Sequence, residues 1–188
     1  IDGQERLGRS HALIIGLGGL GSPAAMYLAA AGVGRLTLVD FDTVDLSNLQ
    51  RQIIHRTTEI GRPKVESARD VLQALNPLIE ITAIPRMLDE TALQEQVGQA
   101  DVVVDAGDNL ATRLAINAAC VQAGTPLVTG AAIRLEGQVL VWRPGGEGAC
   151  AAGVDGAQAG YVAGEDDACG ELERAGGCRG AGAARGAG

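Results

Sequence analysis

Three kinds of pattern are missing from this 188-residue sequence, and each absence argues against a class of function. Acidic residues outnumber basic ones by 23 to 15, and with a net charge of −8 and no local basic patch a nucleic-acid ligand is not expected. No basic segment followed by an apolar stretch opens the chain, and no apolar run could span a bilayer, so we expect a cytoplasmic protein without membrane contact. The four cysteines lack the spacing of disulfide or paired metal-ligand patterns: Cys120, Cys150, Cys169 and Cys178. A small molecule or a protein is therefore the expected partner.

The last 38 residues lack Ile, Phe, Trp and Met altogether, and 22 of them are Gly or Ala. Such a segment buries too little apolar surface to offset its ordering entropy, which predicts a disordered tail over 151–188. Two origins remain open: a natural flexible tail, or a gene read out of frame after about codon 150. Residues 1–150 are expected to form one domain.

Short β-branched or Leu-rich runs alternate with stretches of helical apolar spacing. The predicted strands are 12–15, 36–39, 79–84, 102–105 and 127–129, followed by two strands within 131–142 around Glu136-Gly137. Helices are predicted from Pro63 to about Leu75, and over 110–123 before Gly124. This rhythm predicts an α/β fold with a mostly parallel sheet, covered on both faces and extended by antiparallel strands.

The sequence GLGGLG, with glycines at 16, 18, 19 and 21, follows the first predicted strand and opens a helix. Such a turn brings backbone N–H groups and a helix N-terminus close to a phosphate, and Asp40 at the end of the next strand suits a ribose hydroxyl. Two alternatives remain: the glycines only allow close helix–strand packing, or Asp40 only caps a loop.

The segment that follows distinguishes ATP from a dinucleotide. It runs from Asp40 through a polar loop to Arg51, and Lys64 follows at a helix start. A pyrophosphate is already served by the glycine loop, whereas ATP activation needs extra cations to neutralise the leaving pyrophosphate. Either cation taken alone could be an ordinary surface residue.

Five motifs occur in a fixed order: GLGGLG, DFDTVDLSNLQRQ, GRPKVESA, DAGDN and GAAIRLEGQ. Together they resemble the ThiF/MoeB/HesA family, bacterial relatives of ubiquitin-activating enzymes, over about residues 1–150. The resemblance implies an ATP-dependent adenylyltransferase with a Rossmann-like doubly wound sheet, usually a homodimer. It would join AMP to the C-terminal Gly-Gly of a ubiquitin-fold sulfur carrier serving thiamine or molybdopterin synthesis.

The family pattern implies roles for individual residues of this chain. Gly19, within the loop Gly16, Gly18, Gly19 and Gly21, would lie around the nucleotide, and Asp40 would bind the ribose. Asn48 and Arg51 would contact the phosphates, and so would the later Lys64. The rest of the stretch 47–51, Ser47, Leu49 and Gln50, would belong to the same cofactor-binding segment. Asp108, beside Asn109, would handle Mg and phosphates. The expected catalytic residues are Arg51, Lys64 and Asp108, acting by positioning and charge neutralisation.

Two family features have no match in this sequence. The N-terminal arginine that reaches the neighbouring subunit's site has no counterpart, because Arg6 and Arg9 stand at other positions. Cys150 matches one cysteine of a structural zinc site, but Gly153 occupies the partner position. Tetrahedral zinc needs four ligands, so we expect zinc in full-length relatives and none in this chain.

The remaining candidates are expected to be structural. Cys120 should pack in the core, His11 and His55 should be surface or loop-anchoring residues, and Trp142 and Tyr27 should be packing residues. Two other functions stay open: an NAD-dependent oxidoreductase, and an ATP-binding remnant without activity.

Overall fold

The computed structural model describes residues 2–133 and 136–144. The predicted disordered tail and Cys150 lie outside the described residues. Five helices are described: α1 (Asp2–Arg9), α2 (Gly21–Ala31), α3 (Lys64–Leu75), α4 (Glu90–Gln99) and α5 (Leu110–Ala123). The strands are β1 (His11–Ile15), β2 (Arg35–Val39), β3 (Glu80–Ile84), β4 (Val102–Asp105), β5 (Leu127–Ile133) and β6 (Glu136–Trp142). Two short 3-10 helices, Leu46–Asn48 and Thr57–Glu59, lie between β2 and α3.

The six strands form one sheet in the order β3-β2-β1-β4-β5-β6. Strands β1 to β5 pair in parallel, and β6 pairs antiparallel to β5. The strand order reverses between β1 and β4, which is where open α/β sheets form a crevice at the carboxyl ends of the strands. The predicted α/β fold, a doubly wound and mostly parallel sheet with an antiparallel extension, is confirmed.

Both faces of the sheet carry an apolar core, because successive residues of a strand point to opposite sides. On one face Ala12 and Ile14 of β1 belong to a cluster with α2 and α3. On the other, Leu13 and Ile15 belong to a cluster with α4 and α5. The second cluster contains Cys120, which confirms its predicted packing role. Among the described residues, no helix has the length and apolar content needed to cross a bilayer.

Two details of the sequence prediction were wrong. Glu136 and Gly137 do not form a turn: β5 continues to Ile133, which pairs with Glu136, so both residues lie at the start of β6. A longer ladder satisfies more backbone groups, and this outweighs the local turn preference of a Glu-Gly pair. Tyr27 is not a packing residue but 76% exposed, since α2 buries the face that carries Ala25 and Ala29. Trp142 does pack against the second core cluster.

Candidate functional site

The predicted site residues follow the carboxyl ends of β1, β2 and β4. The glycine loop follows β1, Asp40 follows β2, and the segment 106–109 follows β4. These ends flank the point where the strand order reverses, so the sheet topology brings together residues that are distant in sequence.

Two of the four loop glycines are required by packing. Gly16 has a φ of +91°, and a Cβ there would lie 2.8 Å from the carbonyl oxygen of Ala106. A Cβ on Gly21 would lie 1.8 Å from the carbonyl oxygen of Gly16. For these two positions the packing explanation is sufficient, and it also shows that the loop after β4 lies against the glycine loop.

The other two glycines have no such explanation. A Cβ on Gly18 would lie 3.7 Å from Gln52 Nε2, and one on Gly19 would lie 3.5 Å from Arg51 Cγ. Both are ordinary contact distances, and neither glycine has a positive φ. The interior of the protein therefore does not demand glycine here. Glycine at such positions is typical of a backbone that a phosphate approaches closely, because a side chain would occupy the space that the phosphate needs.

Asp40 is buried and fixes the loop. Its Oδ2 accepts from the backbone N–H of Leu17 at 2.7 Å, and its Oδ1 accepts from that of Asp42 at 2.8 Å. The loop-capping alternative thus describes a real contact. Each carboxylate oxygen has a second lone pair, so this contact leaves acceptor capacity for a ribose hydroxyl.

Lys64 is not a surface cation: it is 4% exposed. Its Nζ lies 2.8 Å from Asp42 Oδ2, and its backbone N–H donates to the carbonyl of Asp42 at 2.9 Å. The carboxylate of Asp42 faces solvent, with its side chain 52% exposed. Sequence reasoning missed Asp42, although Asp40-Phe41-Asp42 offered the signal of a second carboxylate beside the first.

Arg51 lies over the open part of the glycine loop. Its Nη2 donates to Asn48 Oδ1 at 2.6 Å, and its aliphatic carbons face Gly19. This brings together three residues expected at the nucleotide.

The rest of this stretch makes mainly local contacts. Ser47 donates through its backbone N–H and its hydroxyl to Asp45, and these hydrogen bonds lower the pKa of the Asp45 carboxyl. Leu49 is half-buried and Gln50 is exposed. Their predicted nucleotide contacts remain predictions.

The loop after β4 carries Asp108, whose side chain is exposed. Asn109 caps α5, because its Oδ1 accepts from the backbone N–H of Thr112 at 3.1 Å. Helix capping is thus the observed contact of Asn109, and its proximity to a nucleotide remains a prediction.

Sequence reasoning also missed Arg113. Its Nε donates to Asp105 Oδ2 at 3.1 Å, and Asp105 is 2% exposed. Its Nη2 donates to Thr129 Oγ1 at 3.0 Å and to the carbonyl of Gly130. The Thr129 hydroxyl also donates to Asp105 Oδ2 at 2.7 Å. This arginine therefore joins the carboxyl end of β4 to the middle of β5.

Within the described ranges, no group of three or more His, Cys, Asp or Glu side chains is arranged to hold a metal. Cys120 is buried, and this burial raises the pKa of its thiol to about 12, which suits an inert core residue. What the site offers is an open glycine loop, two cations and exposed carboxylate oxygen, a combination suited to a phosphorylated ligand.

Comparisons with known proteins agree with this arrangement. The chain matches the model of the ThiF family over residues 1–170. It is 56% identical over 141 residues to the molybdopterin-synthase adenylyltransferase of Escherichia coli (strain K12), covering 75% of this chain and 57% of that protein. It is 53% identical over 150 residues to the sulfur carrier protein ThiS adenylyltransferase of the same organism, covering 80% and 60%. The crystal structure of E. coli MccB with ATP matches with a TM-score of 0.70 at 28% identity, covering 76% of this chain and 43% of that one. The chain thus spans less than two thirds of these relatives.

Proposed function

This chain belongs to the ThiF family, and we propose that it is the nucleotide-binding part of an ATP-dependent adenylyltransferase. Its second substrate is the C-terminal glycine of a ubiquitin-fold sulfur carrier of the thiamine or molybdopterin type. The observation that carries the proposal is the backbone at Gly18 and Gly19, where packing does not require glycine and where the side chain of Arg51 lies against Gly19.

ATP fits the donors and acceptors of this site. Backbone N–H groups of the glycine loop approach the phosphates, and Asp40 keeps lone pairs for the ribose. Arg51, within the stretch 47–51, and Lys64 supply the positive charge that a triphosphate needs and that a dinucleotide does not. The NAD-dependent alternative is less well supported, since both histidines among the described residues are buried and hydrogen-bonded, which leaves no exposed imidazole for a hydride step.

The reaction needs no general base. An oxygen of the carrier's ionised carboxylate attacks the α-phosphorus of ATP, and the bond from that phosphorus to the bridging oxygen breaks. Pyrophosphate leaves with the bonding electrons, and the acyl adenylate remains. Arg51 and Lys64 stabilise the charge that accumulates on the leaving group, so catalysis consists of positioning and neutralisation.

Magnesium fits the chemistry of Asp108, because this ion binds through one or two carboxylates together with phosphate oxygens and water. When bound it would reduce the charge repulsion between the phosphates and the attacking carboxylate. A zinc site does not fit the described residues, where Cys120 is buried among apolar side chains. No step is assigned to zinc.

A homodimer is supported by an exposed apolar face of the sheet. On β6, Val139 is 71% exposed and Val141 is also exposed. Val141 pairs with Val128, which pairs with Val104, so both valines lie on the face that carries α2. Leu20 lies beside Gly130, the residue that pairs with Val139. An exposed patch of this kind suits a protein interface, and sedimentation equilibrium measures whether two copies associate.

Exchange between ATP and labelled pyrophosphate tests the function, with and without a ubiquitin-fold carrier that ends in Gly-Gly. Carrier-dependent exchange is the expected result, because it requires reversible formation of the acyl adenylate. ATP binding without exchange would favour the inactive remnant. Binding of NAD in place of ATP would favour the alternative function as an oxidoreductase.

A matched pair of arginine variants tests the site. Arg51→Gln should lower carrier-dependent exchange by about 100-fold, the typical effect of losing one donor to a developing negative charge. Arg56 is also exposed and lies five residues further along the same segment. Arg56→Gln should leave the rate within about twofold of the unaltered chain. Equal effects of the two variants would remove Arg51 from the mechanism.

A further inference from the structure

His55 is buried beneath the glycine loop and is not used in the proposed reaction. Its Nε2 lies 3.2 Å from the carbonyl oxygen of Leu17, and its Nδ1 lies 3.0 Å from Ser67 Oγ. Leu17 belongs to the glycine loop, and Ser67 lies in the first turn of α3. The imidazole therefore connects the loop to the helix that begins with Lys64.

These partners determine the tautomer. A carbonyl oxygen only accepts hydrogen bonds, so Nε2 must carry the proton and donate to Leu17. A neutral imidazole has one N–H, so Nδ1 accepts from the hydroxyl of Ser67. Both contacts are satisfied together by neutral His55 in the Nε2–H form.

The same contacts are part of a closed ring. The N–H of Leu17 donates to Asp40, Asp40 also accepts from the backbone of Asp42, and Asp42 pairs with Lys64. Lys64 and Ser67 are three residues apart on α3, so the ring returns to His55. The backbone of Leu17 is thus held through its N–H by Asp40 and through its carbonyl by His55.

We propose that His55 is a positioning residue of the nucleotide site. As a neutral Nε2–H imidazole it closes this ring, which sets the distance between the glycine loop and Lys64. The inference rests on the proposed ATP-binding function and adds the element that holds the loop and Lys64 in register. His55 touches neither substrate and moves no proton.

The surroundings of His55 favour its neutral form. Burial is the main effect that lowers the pKa of His55, and the nearby Lys64 cation lowers it further. The hydrogen bond to Leu17 and the carboxylates of Asp40 and Glu59 act in the opposite direction and are the weaker influence. A charged imidazole would carry a second N–H towards Ser67, whose hydroxyl would have to rotate to accept it.

The chain supplies a matched control, its other histidine. His11 is also buried, but it lies at the amino end of β1, away from the glycine loop. Its Nδ1 lies 2.8 Å from the carbonyl oxygen of Gln99, and its Nε2 lies 2.9 Å from Thr37 Oγ1. By the same reasoning, neutral His11 is the Nδ1–H tautomer, the opposite of His55.

Equilibrium dialysis of ATP with four variants tests the proposal. His55→Leu should weaken ATP binding by about tenfold, the effect expected from losing one hydrogen bond that orders the loop. His55→Gln should restore most of the affinity, because its amide can donate to Leu17 and accept from Ser67. Ser67→Ala should weaken binding by about threefold. His11→Leu, which also removes a buried histidine, should leave the ATP affinity unchanged.

Each outcome of these experiments either supports or overturns the proposed role of His55. Unchanged affinity in His55→Leu, or an equal loss in His11→Leu, overturns the proposal. If His55→Leu does not fold, Ser67→Ala serves instead, and an unchanged affinity there also overturns it. Failure of the proposed function looks different, because the unaltered chain would then bind no ATP, or would bind ATP without carrier-dependent exchange.

Nitrogen-15 spectra of the two imidazoles supply a readout that does not depend on activity. The expected spectrum at neutral pH contains one Nε2–H signal pattern, from His55, and one Nδ1–H pattern, from His11. Assignment uses the single-histidine variants. An Nδ1–H pattern for His55 would overturn the proposal, since that tautomer cannot donate to Leu17.

Discussion

The two ends of the sheet hold buried polar groups of similar kind that serve different purposes. At the amino end, His11 bonds to Gln99 and Thr37, and its backbone N–H donates to Asp101. At the carboxyl end, His55 and Lys64 belong to one ring of contacts around the glycine loop. At both ends the buried polar groups have hydrogen-bond partners, so complete hydrogen bonding alone does not identify a functional site.

The two polar networks differ in the parts of the molecule that their hydrogen bonds fix in place. The amino-end network joins strands and helix ends that are already fixed by the core. The carboxyl-end network holds a loop in which packing does not require the two middle glycines, and one of them, Gly19, lies against the side chain of Arg51. A buried polar network therefore points to a functional site where it positions a loop that could receive a ligand. It points to a stabilising role where it joins elements of the sheet that the core already fixes.

The largest effect is expected at the buried ion pair of the carboxyl end. Arg113→Met leaves Asp105 charged, buried and without its cation, which should lower the free energy of unfolding by about 3–5 kcal/mol. Urea titration measures this loss. ATP affinity should fall as well. Asp105 accepts a hydrogen bond from the N–H of Gly107 and so holds the loop that carries Asp108.

The double variant Asp105→Asn with Arg113→Met is the control. Removing both charges should recover most of the lost stability, since the penalty comes from the unpaired carboxylate. A double variant as unstable as Arg113→Met would mean that the arginine acts through packing of its stem.

The sequence was sufficient for the parts of the molecule that local rules determine. Helix α5 has the predicted bounds of 110–123, with Asn109 as its N-cap and Gly124 in the left-handed region at its end. The glycine loop follows the first strand, as predicted. Capping residues and hydrophobic periodicity involve residues close together in the sequence. The helix bounds could therefore be predicted without knowing the tertiary contacts.

The features that the sequence did not predict depend on contacts with residues distant in sequence. Arg113 stood out in no motif, because its significance comes from Asp105 and from Thr129 on another strand. The strand β5 extended past its predicted end because β6 was there to pair with it. His55 looked like an isolated loop residue until the fold brought Leu17 and Ser67 to its two nitrogens.

The second prediction separates the loop glycines by function. Gly19→Ala should fold normally, because its Cβ meets Arg51 only at ordinary contact distance, yet it should weaken ATP binding by about tenfold or more. Gly21→Ala should instead prevent normal folding, because its Cβ would overlap the backbone of Gly16. Thermal unfolding and dialysis of ATP distinguish the two.

Gly98 supplies the reference for this pair. It lies within α4 with nothing near the position of a Cβ, so Gly98→Ala should raise stability by up to about 1 kcal/mol and leave ATP affinity unchanged. Equal ATP affinity in Gly19→Ala and Gly98→Ala would contradict the assignment of an open nucleotide loop.

The third prediction concerns pH. The folded state lowers the pKa of His55 below its ordinary value of 6.5, so below that value the unfolded chain binds more protons than the folded one. The contribution of neutral His55 to stability is therefore complete above pH 6.5 and is lost as the pH falls through the lowered pKa. Unfolding in urea across pH 5 to 8 should show this loss. His55→Gln should show a shallower decline, and an unchanged slope would contradict the burial of a neutral imidazole.

The smallest effect is expected at Arg62, which lies at the same end of the sheet as Lys64. Its guanidinium pairs with Asp70 and Glu59, and these hydrogen bonds raise the pKa of Arg62, yet its side chain is 39% exposed. Water and salt screen such pairs, so Arg62→Gln should change neither the urea midpoint nor the ATP affinity beyond experimental error. Lys64→Gln, by contrast, removes a buried cation and should abolish tight ATP binding. If the two variants behaved alike, proximity to the carboxyl end would be sufficient for function. A difference would show that burial and contact with the ring are needed too.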